Sequence, residues 1–235
     1  MKNLNIPPRI AMAVTPLVKA PAGYRMRARG EKGEIYLYGL IGQDWFGDGV
    51  TARQFAKDLK ELGAVNAIDL RINSEGGSVF EGQTMYSLLV EHKAKVTAYV
   101  DGLAASAASF IAMAAEEIKI ASGGFMMIHN AHSRMAGTAD DFRREADLLD
   151  TVNGTIRQKY VDRTGADEAK VKKWMDDETW FNGQEAVDAG FADTVMPNLK
   201  VAACVNNPAA YKNLPAALRP RRAAASAVIA AMVTK

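Results

Sequence analysis

The chain has 235 residues, 49% apolar and 24% charged, which is length enough for one domain with a buried core. Its 29 Lys+Arg against 27 Asp+Glu leave a formal charge of +2, with no broad basic excess to neutralise a nucleic-acid backbone. The single cysteine, Cys204, excludes an internal disulfide framework or a thiolate zinc site, and the longest apolar runs, 103–115 and 223–233, fall short of the roughly 20 residues that span a bilayer.

Residues 1–30 carry Pro7, Pro8, Pro16, Pro21 and Gly23 and then a charged Arg/Gly stretch, and read as a flexible N-terminal arm. The prolines, with Arg9 and Lys19, interrupt any hydrophobic region of an export signal, so a soluble cytoplasmic protein is expected. Residues 34–39 read as a strand. Thr51 then caps a helix with Ala52, Phe55, Leu59 and Leu62 at helical spacing, stopped by Gly63. Residues 67–73 alternate Ile68, Leu70 and Ile72 against Asp69 and Arg71, which predicts a strand, and a Gly-Gly turn leads into a helix over 79–92. A strand over 95–100 and a short apolar helix over 105–115 follow. Ile118 and Ile120 mark one strand and 125–129 another. Thr138 opens a long helix with Asp141 in its first turn and Phe142, Ala146, Leu149, Ile156 and Tyr160 along one face. Shorter helices are predicted over 167–175 and 184–189, the second stopped by Gly190. After Pro197 the chain turns irregular again, and Arg219-Pro220-Arg221-Arg222 reads as a solvated linker. Strands alternating with helices predict an α/β domain with a buried sheet, whose chemistry belongs at the carboxyl ends of strands. The candidate turns follow Asn73, Val100 and Met127.

Three segments carry candidate chemistry. In Asn73-Ser74-Glu75-Gly76-Gly77-Ser78 the paired glycines let backbone amides approach a ligand, although for this segment alone a plain tight turn is the better explanation. In the segment from Asp101 to Ser109 a sharp turn at Gly102 leads through alanines to Ser106 at a helix start, where a hydroxyl and the next amide can face a developing oxyanion. Tight packing through Ala and Ser is the competing explanation there, and Ser109, one helical turn on, reads as an inert neighbour. In Met126-Met127-Ile128-His129 a histidine ends an apolar strand. Of the 3 histidines, His92 sits in a charged helix end and His132 is the one rival base. A serine, a histidine and a Gly-rich turn in this order make a coherent nucleophile–base–oxyanion set. No His/carboxylate cluster has metal-ligand spacing and no phosphate loop follows the glycines, so no metal or cofactor is expected.

Taken together, Ser74-x-Gly76-Gly77-Ser78, Gly102-x-Ala104-Ala105-Ser106, Met127-Ile128-His129 and Glu185-Ala186-Val187-x-x-Gly190 resemble the proteolytic subunit of the Clp protease, the ClpP family, over residues 31–196. The run from Ala104 to Ser109 and Glu178-Thr179-Trp180 resemble the phage and prophage branch most. The resemblance implies a peptidase domain over 31–196 with the crotonase-like ClpP fold of repeated ββα units, between a 1–30 arm and a 197–235 tail. It also implies that the long helix over 138–165 is a protruding handle. By the same resemblance Ser106 is the nucleophile, His129 the general base, and the amides of Gly77 and Ala107 the oxyanion hole. The family's third residue, an aspartate, falls on Glu178, with Asp177 as rival and Asp176 beside it. Glu75 stands where the family usually has proline. The implied partners are peptide or protein substrates and further copies of the chain in homo-oligomeric rings, heptameric or stacked. An AAA+ unfoldase or capsid and scaffold proteins are implied as well, the latter through phage head maturation. Three alternatives compete: an acyl-CoA enzyme of the crotonase fold, a serine–lysine peptidase, and a catalytically silent scaffold or assembly protein. The order of Ser106 and His129 opposes the first, and the absence of a lysine near the strand ends opposes the second.

Overall fold

The computed structural model describes residues 23–43, 49–197, 205 and 208–219. Strands β1 (Arg25–Arg29), β2 (Lys32–Ile41), β3 (Ala67–Gly77), β4 (Lys95–Ala105), β5 (Glu117–Ala121), β6 (Phe125–Ile128), β7 (Thr179–Asn182) and β8 (Thr194–Met196) form one sheet. Helices α1 (Ala52–Glu61), α2 (Val79–Glu91), α3 (Ala107–Ala112), α4 (Ala139–Thr164), α5 (Glu168–Asp176) and α6 (Gly183–Asp188) complete the domain. The sheet runs β1-β2-β3-β4-β5-β8, parallel from β2 to β8, with β1 antiparallel at the edge. The expected alternation holds in β3, where Ile68, Leu70 and Ile72 are fully buried. Thr51 Oγ1 accepts the Gln54 N–H at 3.1 Å and starts α1 as anticipated.

Strand β4 serves two partners along one edge. Its first half, Thr97 to Val100, pairs β5, and its second half, Leu103 to Ala105, pairs β6 with Ala105 opposite Met127. The alternation of β4 and β6 therefore feeds two apolar clusters. Ala104, Met126 and Ile128 join the main core with the helices, while Leu103, Ala105 and Met127 meet Val205, Leu214 and Leu218. The carboxylate of Asp101, buried in β4, accepts from Arg71 Nε at 2.8 Å and Tyr38 Oη at 2.6 Å, so its charge is paired.

Several expectations need correction. The segments read as turns after Asn73 and Val100 are strand: β3 and β4 continue through register shifts near Ser74 to Gly77 and Ala105. Gly76 and Gly77, which suggested a turn, instead allow backbones to meet. Gly77 has φ +143, and a Cβ there would lie 2.1 Å from the Ile41 carbonyl oxygen. Within the expected arm, Arg25–Arg29 is strand β1; its lack of apolar alternation hid it, and Arg27 Nε bonds Glu34 Oε2 on β2 at 2.6 Å. Residues 1–22 lie outside the described residues. In the expected tail, residues 208–219 pack on the domain, with short 3₁₀ turns at Pro208–Ala210 and Ala216–Leu218. Cys204 and the basic residues from Arg221 onward lie outside the described residues. Helix α4 has the anticipated start, a capping box in which Thr138 and Asp141 bond each other's backbone amides, and it ends at Gly165 with φ +66. Only Ile156 and Tyr160 of its predicted apolar face are buried, whereas Phe142 is 51% exposed. Among the described residues no helix is long and apolar enough to cross a membrane.

Candidate active site

The pairing of β4 with β6 sets the centre of the site. Because Ala105 is level with Met127, the residue that follows β4 and the residue that follows β6 arrive side by side. Ser106 N–H donates to the Met127 carbonyl at 3.0 Å, and Ser106 Oγ lies 2.8 Å from His129 Nε2. Ser106 has φ +52 and ψ −125, immediately before α3. A non-glycine residue held there costs about 1–3 kcal/mol and persists only where its surroundings over-determine it. Gly76 presses on this turn: a Cβ on it would come 2.7 Å from Ser106 Cβ and 2.8 Å from the Ala107 nitrogen. The Gly76-Gly77 backbone and the Ala107 amide thus stand at the same spot, beside the serine hydroxyl. A cavity of about 310 Å³ opens there, lined by Gly77, Val79, Ser106, His129, Leu149 and Val152 among others.

Burial pushes the His129 pKa down to about 4, the nearby His132 imidazole adds to the fall, and the charge of Glu178 opposes it. At neutral pH the ring is neutral and its Nε2 can accept the Ser106 proton. The exposed His132 packs edge-on to it with ring centroids 5.5 Å apart. His132 is therefore a neighbour of the site, while the serine contact belongs to His129.

On its other side His129 borders a second cavity, of about 400 Å³, with Glu178, Asp176, Ala209 and Lys212 in its wall. Glu178 is only 6% exposed and follows α5 at φ +50. Its Oε1 accepts from the Asn213 amide at 2.8 Å and Trp180 Nε1 at 3.3 Å, and its Oε2 from the Lys212 amide at 3.1 Å. Among the described residues the anticipated hydrogen bond from the His129 imidazole to Glu178 is not formed; the carboxylate accepts from the tail amides instead. The rivals face solvent. Asp177 pairs with Lys173 at 2.5 Å, and Asp176 accepts from Lys172 at 2.7 Å and Asn130 at 2.8 Å. Ser106 and Glu178 are the two non-glycine residues with positive φ among the described residues, and they flank the same imidazole.

A model of the Clp protease family matches residues 48–198, which contain Ser106, His129 and Glu178. The chain belongs to the Clp protease family. It is 31% identical over 144 residues to the ATP-dependent Clp protease proteolytic subunit 2 of Treponema denticola, covering 60% of this chain and 72% of that one. It is 29% identical over 167 residues to subunit 1 of Leifsonia xyli subsp. xyli, covering 68% and 85%. Subunit 2 of Thermobifida fusca is 33% identical over 133 residues, covering 56% and 66%. The protein is thus a serine-type endopeptidase of the ClpP-like α/β fold.

Within this Clp protease chain, Lys212 and Asn213 lie beyond the matched span, and sequence reasoning missed them because they act through main-chain N–H groups that no side-chain pattern advertises. It also misjudged Ser109. That hydroxyl is buried, donates to the Ser106 carbonyl oxygen at 2.6 Å and lies 2.7 Å from Tyr160 Oη. A serine in an otherwise apolar helix was the available signal, since a buried hydroxyl demands a partner.

Proposed function

We propose that this Clp protease chain cleaves peptide bonds through a covalent acyl-enzyme on Ser106. His129 Nε2 takes the Ser106 proton as Oγ attacks the scissile carbonyl carbon, and the carbonyl oxygen becomes an oxyanion facing the amides of Gly77 and Ala107. The imidazolium then protonates the leaving amine as the C–N bond breaks, and a water deprotonated by His129 releases the acid product. The observation that carries this reading is the 2.8 Å contact between Ser106 Oγ and a neutral, half-buried His129 beside an open cavity. Glu178 is the carboxylate we assign to His129 Nδ1, on the reading that one oxygen turns from its tail amides to the imidazole in the active state. Asp176 and Asp177 are tied to exposed lysines and are poor substitutes.

A ring of identical subunits is the assembly we infer. The 46% exposed Leu148, the 51% exposed Phe142 and the 65% exposed Phe80 give apolar surface for a neighbouring copy. By likeness to the phage branch, capsid or scaffold proteins are the substrates we would test first, with partner-fed degradation through an unfoldase as the other arm.

A fluorogenic peptide assay with fluorophosphonate labelling tests this mechanism. It expects hydrolysis and one label, on Ser106, both lost in Ser106→Ala. A well-folded oligomer that takes no label on Ser106, or that keeps its activity in Ser106→Ala, would overturn the assignment.

A further inference from the structure

We infer that Ser109 and Tyr160 form a positioning pair that aims the Ala107 N–H at the oxyanion; this rests on the proposed roles of Ser106 and Ala107. A peptide unit is planar and trans, so the Ser106 C=O and the Ala107 N–H belong to one rigid plane and point in opposite directions. Whatever holds the carbonyl fixes the direction of the amide. The Ser106 carbonyl accepts twice from Ser109, from its backbone N–H at 2.9 Å and from its hydroxyl at 2.6 Å. A serine hydroxyl has one proton, and here it goes to the carbonyl, so the 2.7 Å contact with Tyr160 has Tyr160 Oη as donor and Ser109 Oγ as acceptor. The chain of donors runs Tyr160 to Ser109 to Ser106.

Both members are sealed in. Ser109 is 0% exposed and Tyr160 1%, and the Tyr160 ring packs edge-on to Phe191 at 5.6 Å between centroids. Burial raises the Tyr160 pKa, so the phenol remains a donor across the working pH range. The arrangement also answers the strain at Ser106. Its φ of +52 is a conformation that an unsupported serine would leave, and a doubly anchored carbonyl opposes that escape. Tyr160 belongs to α4, the helix that also lines the substrate cavity with Leu149 and Val152, so one helix both shapes the cavity and anchors the amide plane beside it.

An amide aimed at the oxyanion acts on the transition state more than on bound substrate, so its loss appears in kcat and leaves KM unchanged. The experiment measures kcat and KM for a fluorogenic peptide per active site, titrated with a fluorophosphonate, in wild type, Ser109→Ala, Tyr160→Phe and the double variant. Titration removes any effect of partial unfolding from kcat. The expected result is a loss of about tenfold in kcat in each variant, at constant KM, with the double variant no worse than Ser109→Ala because both act through one carbonyl. Affinity for a peptide boronate, which mimics the tetrahedral species, falls in parallel. A kcat per site within twofold of wild type, or a change confined to KM, overturns the inference. Should Ser109→Ala fail to fold, the nearly isosteric Tyr160→Phe decides alone. A wild type that takes no label, or a Ser106→Ala variant that keeps its activity, would instead sink the proposed function.

Discussion

Ser106 and Glu178 share a strained backbone and a common neighbour, yet the molecule builds around them differently. The Ser106 turn is held from within the sheet domain: Met127 accepts its amide, Ser109 holds its carbonyl, Gly76 closes on its Cβ, and His129 meets its hydroxyl. Glu178 is held by the amides of residues 34 and 35 positions further on, and its carboxylate faces them. Strand register delivers the serine–histidine contact as a consequence of folding. The acid has no such guarantee, because its orientation depends on a peripheral segment that packs through Leu214 and Leu218. The half of the site built on the sheet is aligned with the imidazole, and the half tied to the tail is turned toward the tail.

The sharpest way to break this comparison is to remove the histidine. His129→Ala is expected to lower kcat/KM by about a thousandfold or more, while His132→Ala stays within a few-fold. The reverse ranking, in the same peptide assay, would move the base to the exposed loop. Glu178→Gln comes next. An amide there must turn its NH₂ toward a main-chain donor or leave one unpaired, so we expect a loss of about 10–100-fold in kcat and about 1–3 kcal/mol in stability. Limited proteolysis should show faster cleavage around Lys212. Unchanged turnover with a loosened tail would make Glu178 purely a tail anchor.

The pH profile sharpens the same contrast. His129 titrates near pH 4 rather than near its usual 6.5, so hydrolysis should rise across the acid limb and be flat from about pH 6 upward. An inflection near 6.5 would contradict the burial argument. Between about pH 6.5 and 4 the unfolded chain binds a proton that the folded chain refuses, so the folded state loses stability as pH falls through that window. The smallest effects belong to Asp176→Asn and Asp177→Asn, whose i,i+4 pairs with lysine are exposed and screened by solvent; turnover should stay within twofold. A large loss in Asp177→Asn would hand it the acid role.

How much of this was legible in the sequence differs by element. Helix α1 and strand β3 announced themselves through a cap and periodicity, because their apolar faces meet the core, and the start of α4 through its capping box, although only Ile156 and Tyr160 of its apolar face are buried. The extensions of β3 and β4 did not, since Gly76, Gly77 and Gly102 carry the signature of turns, while Gly76 and Gly77 serve close backbone approach and Gly102 lies within the strand. Strand β1 was hidden by arginines that suit an edge strand. Ser106 could be named from its place at a helix start and His129 from its place at a strand end, and the register that joins them only from the sheet. The tail was illegible as a site component because it contributes amides. Ser109 was legible in principle, as a hydroxyl surrounded by apolar residues, and its partner Tyr160 lies 51 residues away.

The most direct test of the central claim is the mass of the protein after reaction with a fluorophosphonate at neutral pH, followed by mapping of the modified peptide. One adduct per chain is expected, on Ser106, with hydrolysis of a fluorogenic peptide lost in proportion to labelling and no adduct on Ser106→Ala. An adduct on another serine, or hydrolysis that survives full labelling of Ser106, would contradict it.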